Sequence, residues 1–82
     1  MVVEYPLLTE KAVALIEKEN KIVFIVNDKA AKREIKDEIE RLYDVKVERV
    51  NVLKSIKGRK KAYVKLAEPY KASDLATKLK II

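Results

Sequence analysis

An α+β fold is the class this 82-residue sequence predicts: a small α/β sandwich with a mainly antiparallel sheet of three to four strands and two long helices. Three observations predict it. Ile22-Val23-Phe24-Ile25-Val26 is an unbroken β-branched and aromatic run, as a strand covered on both faces reads. Ala31, Ile35, Ile39 and Leu42 recur at spacings of four, four and three, the apolar stripe of a helix. Lys60–Leu66 alternates strictly and follows a turn at Gly58, so it reads as the return strand of a hairpin. The resulting order is β-α-β-α-β-β-α, similar to a split βαβ unit.

Each element follows from local chemistry. Val2–Tyr5 is extended, because Pro6 keeps Tyr5 out of the helical region. Thr9 caps a helix over Glu10–Glu19, with Leu8, Ala12, Leu15 and Ile16 on one side. Asn27-Asp28 opens a helix over Lys29–Tyr43. On it Glu34 and Glu38, and Lys36 and Glu40, stand four apart and so interact locally. The third strand covers Val47–Lys54. Val45 and Val47 share one phase and Val50 and Val52 the other, which predicts either a bulge or a strand that begins near Glu48. Ser55–Arg59 is the turn, with Gly58 free to adopt positive φ. Pro69 ends the fourth strand. Ser73 caps a last helix, Asp74–Leu79, whose Leu75 and Leu79 pack back.

The length suffices for one domain, 1–82, without linker or repeat. A chain this small buries only about 60–65% of its unfolded surface, which leaves no room for a deep cleft. Cysteine and histidine are absent, removing thiolate chemistry and the commonest general base and metal ligand. A single glycine cannot build a phosphate loop. No Asp/Glu cluster has metal-ligand spacing. The sequence therefore predicts no enzyme, no metal and no cofactor. Met1–Leu8 lacks a basic leader and a long apolar core, so no export signal is expected. The lack of Cys, Gln, Trp and His beside abundant Lys, Glu, Ile and Val resembles the composition of heat-adapted proteins.

Charge is the functional signal. The net charge is +6, but residues 1–48 carry −2 and residues 68–82 only +1. Residues 49–67 hold seven basic and no acidic side chains. Such a block is the footprint of a nucleic-acid binder or of a protein on an anionic membrane; a solvated lysine-rich face is the competing reading. Lys54, Lys57, Arg59, Lys60, Lys61 and Lys65 lie on two strands about 4.8 Å apart and their turn, one compact expected patch. Six phosphate contacts would weaken binding roughly 10³-fold between 50 and 200 mM salt. Tyr63, between Lys61 and Lys65, either stacks a base or packs under the last helix. Tyr5, Tyr43 and Tyr70 read as amphipathic residues at the core edge. Lys29, Lys32, Arg33 and Lys36 oppose the dipole of the second helix, which suits a phosphate partner or a solvated face equally.

The hairpin also carries a family resemblance. Lys60-Lys61-Ala62-Tyr63-Val64-Lys65-Leu66-Ala67, followed after seven residues by Leu75, resembles the signature of the ribosomal large-subunit protein twenty-three family. Leu8-Thr9-Glu10-Lys11-Ala12, Asn20-Lys21-Ile22-Val23-Phe24, Ala31-Lys32 with Glu34-Ile35-Lys36, and Val45-Lys46-Val47 with Val50-Asn51 resemble its other motifs, in order. The resemblance implies large-subunit ribosomal RNA and neighbouring ribosomal proteins as partners, and a place beside the nascent-peptide tunnel exit in a cytoplasmic ribosome. It implies signal recognition particle and the protein-conducting channel as docking factors, without membrane insertion. By motif, Glu10 is the docking candidate, with stabilisation of a helix dipole as its alternative role. Lys11, Lys32 and Lys36 are second-tier RNA contacts. The short hairpin turn departs from the long extension of bacterial members and points to the archaeal type. Val52 stands where the family often has threonine, which loses a hydroxyl contact. A monomer selective for one structured RNA is the reading this favours. A free-standing basic DNA- or RNA-binding chromosomal protein is the alternative.

Overall fold

Strand β2 (Lys21–Val26) lies between β1 (Val3–Pro6) and β4 (Lys60–Leu66), and β3 (Val47–Lys54) forms the far edge beside β4. The computed structural model describes residues 2–7, 9–54 and 58–79. Every neighbouring pair is antiparallel. β2 and β3 both run against β4, so they are parallel to each other with β4 inserted between them. That is the expected split βαβ arrangement. Three helices complete the order: α1 (Glu10–Glu19), α2 (Lys32–Tyr43) and α3 (Ala72–Lys78).

Strand alternation divides the sheet. Ile22, Phe24 and Val26 of β2 and Ala62, Val64 and Leu66 of β4 point to one face, where they form the core with Ile35 and Ile39 of α2 and Leu75 and Ala76 of α3. Ile16 of α1 joins the same core. Val23 and Ile25 alternate to the second face and are buried there, outside that core. β2 is thus covered on both sides, as its unbroken apolar run predicts. Burying these aliphatic side chains stabilises the fold by about 1.5–3 kcal/mol each.

The ends of the helices show where local reading suffices. Thr9 caps α1, its side chain accepting from the Ala12 N–H at 3.2 Å. Helix α2 begins at Lys32, later than the predicted Lys29. Asn27 makes a turn instead, its Oδ1 accepting from the Lys29 N–H at 2.8 Å. Ala31 occupies the N-cap, and the Glu34 carboxylate accepts its N–H at 3.0 Å. Helix α3 begins at Ala72, so Ser73 lies inside it and is not its cap. Asn20, from the end of α1, accepts the Ala72 N–H through Oδ1 at 2.6 Å. Leu75 is buried and Leu79 packs against the core, as expected.

The apolar stripe of α2 also differs from the expected one. Ala31 and Leu42 are exposed, and Tyr43 packs on the core against Phe24, with ring centroids 6.5 Å apart. The helix also turns Glu38 inward, and its carboxylate accepts the N–H groups of Val2 and Val3. Glu40 accepts the Val47 N–H at 2.8 Å. Glu34, Glu38 and Glu40 of α2 therefore satisfy backbone donors instead of pairing with neighbouring lysines. Burial raises the Tyr43 pKa, and the nearby Glu38 carboxylate raises it further.

β3 spans Val47–Lys54 as predicted and carries the bulge between Val47 and Arg49. β1 has a second irregularity between Val3 and Tyr5. Gly58 has φ +84°. Among the described residues no helix is long and apolar enough to cross a membrane.

Candidate nucleic-acid interface

The second face of the sheet carries three cross-strand rows. Lys21, Lys65 and Arg49 form the first, across β2, β4 and β3. Val23, Tyr63 and Asn51 form the second. Tyr5, Ile25, Lys61 and Leu53 form the third, across all four strands. Adjacent strands stand about 4.8 Å apart, so each row is a continuous surface.

Accessibility rises across these rows. The β2 members Val23 and Ile25 are buried, Lys61, Tyr63 and Lys65 of β4 are half-buried, and Arg49, Asn51 and Leu53 of β3 are exposed. Long lysine stems cover apolar surface and leave their ammonium groups in water. The accessible part is thus the outer side of the β3–β4 hairpin, with Arg49, Lys61 and Lys65 as cations and Tyr63 between them. Lys65 also lies 3.7 Å from Glu48, and Lys21 lies 3.1 Å from Glu19. The Lys65–Glu48 pair lies at the surface and is weak enough to yield to a phosphate, whereas the Lys21 side chain is largely covered.

The structure divides the compact patch expected from the sequence. Alternation sends Lys60 and Lys54, a cross-strand pair, to the side opposite Lys61. The Lys60 ammonium is tied down there, donating to the carbonyl oxygens of Asp28 at 3.2 Å and Ala30 at 2.9 Å. Lys54 is exposed at the end of β3. Arg59 reaches across to β1, where it donates to the Tyr5 hydroxyl and its guanidinium carbon lies 5.9 Å from the ring centroid. Lys57 lies outside the described residues. Lys32 and Lys36 line a separate groove of about 400 Å³ between α2 and Val50, with Arg33, Asp37 and Glu40. Lys11 and Glu10 are exposed in the first turn of α1. Tyr63 faces away from the core that holds α3, so it does not pack under that helix.

Three residues on this surface escape the sequence reading. Arg49 lies in the basic block but is nominated only by its register with Lys65. Lys21 completes the same row from β2. Tyr5, read as a core-edge residue, keeps 42% of its surface exposed, whereas Tyr43 and Tyr70 do pack on the core. Among the described residues no group of three or more acids could hold a metal ion. The surface offers cations, aromatic rings and amide groups, which suit a phosphate backbone with unstacked bases.

The family profile described as Ribosomal protein L23 matches residues 1–73. The large ribosomal subunit protein uL23 of Pyrobaculum aerophilum is 55% identical over 75 residues, covering 92% of this chain and 93% of the relative. The protein of the same name from Methanococcus aeolicus is 44% identical over 80 residues, covering 98% and 93%. A match of this extent, across every element from β1 to the start of α3, means that the chain belongs to the ribosomal protein L23 family.

Proposed function

We propose that the chain binds large-subunit ribosomal RNA through the outer side of the β3–β4 hairpin. Family membership makes it a structural, non-enzymatic ribosomal protein of the cytoplasm. The observation that carries the RNA reading is the row Lys21–Lys65–Arg49 with Lys61 beside it, on a hairpin whose sequence holds no acid from 49 to 67. Arg49, Lys61 and Lys65 contact phosphates, and Tyr63 stacks a base. Lys54, Lys57, Lys32, Lys36 and Lys11 add outlying phosphate contacts. Lys60 supports the surface from behind, by holding the loop that leads into α2.

The finer placement belongs to the same reading. The chain sits at the tunnel exit among neighbouring ribosomal proteins. The exposed Glu10, on the first turn of α1, contributes to docking signal recognition particle and the protein-conducting channel. Off the ribosome the chain is a monomer.

A salt-titrated binding comparison tests this. The purified chain is offered its own large-subunit ribosomal RNA, an unrelated structured RNA of equal length, and duplex DNA. The expected result is selectivity for the ribosomal RNA that persists above about 200 mM salt, where bare electrostatics fade. Equal affinity for all three, collapsing together with salt, overturns the assignment and favours a generic basic chromosomal protein.

A further inference from the structure

We infer that the Tyr5–Arg59 pair and the recess beside it form a site for one unstacked nucleobase with an amino edge, at the end of the sheet remote from the Lys21–Lys65–Arg49 row. The inference rests on the RNA-binding reading above and adds a residue, Tyr5, and a recognition chemistry to it.

The β1 irregularity between Val3 and Tyr5 sets Tyr5 opposite Ile25, on the second face. Arg59, just past the turn, lies over the Tyr5 ring and bonds its hydroxyl. The bond holds the Tyr5 ring at its hydroxyl end, so the ring loses little further entropy when a base stacks on it. Both residues are exposed, so the Tyr5 ring and the Arg59 guanidinium at its hydroxyl face solvent at the sheet edge. Planar Arg and Tyr groups of this kind are the surfaces on which splayed-out bases stack.

The adjoining recess has a volume of about 520 Å³ and is walled by Glu4, Ile25, Asp28, Lys29 and Arg59. Its wall chemistry differs from that of the hairpin. Glu4 and Asp28 are carboxylates, acceptors only, and they disfavour a phosphate. They match a base that offers N–H donors on its Watson–Crick edge. Guanine offers two adjacent donors to a single carboxylate, whereas uracil offers one. Lys29 and Arg59 at the same recess balance the acids and hold the flanking phosphate. The division is between hairpin cations for backbone and recess acids for a base edge.

A short single-stranded RNA with one 2-aminopurine among uridines tests the site. Stacking on Tyr5–Arg59 is expected to change the probe's fluorescence in the wild-type protein. Tyr5→Ala and Arg59→Ala are expected to remove that change and weaken the oligonucleotide at least about fivefold, while Tyr5→Phe keeps the stack. Guanylate is expected to displace the probe about tenfold more effectively than uridylate. Circular dichroism checks that each variant is folded. An unchanged fluorescence response in folded Tyr5→Ala overturns the stacking site, and equal displacement by the two nucleotides overturns the amino-edge assignment. Either failure, with ribosomal RNA binding still lost in Lys61→Glu/Lys65→Glu, leaves the hairpin reading standing. Ribosomal RNA binding that is unaffected by Lys61→Glu/Lys65→Glu counts against the hairpin reading itself.

Discussion

Glu38 of α2 and Val3 of β1 are joined by a buried hydrogen bond of 2.8 Å, the Val3 N–H donating to Oε2. The second carboxylate oxygen accepts the Val2 N–H at 3.2 Å. One side chain thus fastens an edge strand to a helix 35 residues away. It also satisfies donors at the frayed end of β1 that no neighbouring strand reaches.

Removing that carboxylate therefore costs more than a surface contact. Glu38→Ala is expected to lose about 2–3 kcal/mol, because it leaves a buried donor without a partner and takes away a charged acceptor. Glu38→Gln keeps one acceptor and is expected to lose about half as much. Denaturant midpoints measure both. A loss below about 0.5 kcal/mol for Glu38→Ala, the range of an ordinary surface change, refutes the clamp.

Asn20 has a comparable role at the other end of β2. It adopts a left-handed conformation, φ 56°, which asparagine tolerates better than most residues. Its Nδ2 donates to the carbonyls of Leu66 and Tyr70, while Oδ1 accepts from Ala72. Asn20→Ala is expected to destabilise by about 3 kcal/mol, three lost hydrogen bonds plus backbone strain. Asn20→Gly relieves the strain and is expected to be milder by about 1 kcal/mol. If both variants unfold at the wild-type midpoint, Asn20 does not tie α3 to the sheet.

These two residues explain how far the sequence could be read. Thr9 as a cap, the span of β3 and the alternation of β4 were legible, because each is decided within a few residues. The start of α3 was not, since its first donor is met by Asn20 across 52 positions. The N-cap signal of Asn27 was real chemistry spent on a turn, five residues before α2 begins. The stripe Ala31–Ile35–Ile39–Leu42 failed at its first end because Ala31 is the N-cap, ahead of the helix, and at its last because Tyr43, one position beyond Leu42, stacks on Phe24. Likewise the basic block identified the hairpin, and the alternation of β4 separates Lys61 from Lys60, but only the register brings Arg49 and Lys21 into one row with Lys65.

Tyr43 gives a prediction in pH. Its pKa is raised by burial first and by the Glu38 carboxylate second. The folded protein therefore favours the neutral phenol. That contribution to stability is fully present below the ordinary tyrosine value of about 10 and is lost as pH rises through the higher folded value. Alkaline titration followed by phenolate absorbance, with Tyr43→Phe to assign the transition, is expected to show Tyr43 ionising above the ordinary tyrosine value. Glu38→Gln is expected to lower that transition without normalising it, because burial remains. A Tyr43 that titrates at the ordinary tyrosine value contradicts the argument.

The neighbours Lys60 and Lys61 separate stability from binding. Lys60 spends its ammonium on the carbonyls of Asp28 and Ala30, in the loop that leads into α2. Lys60→Ala is expected to cost about 1–2 kcal/mol of stability, with little change in the salt dependence of RNA binding. Lys61 points to the other face, between Ile25 and Leu53, with its ammonium free of any such anchor among the described residues. Lys61→Ala is expected to leave the unfolding midpoint near its wild-type value and to reduce the slope of log affinity against log salt by about 1. Paired unfolding and binding titrations on the two variants decide the matter. If Lys60→Ala reduces the salt slope as Lys61→Ala does, the phosphate surface wraps around β4 and the division between its two sides fails.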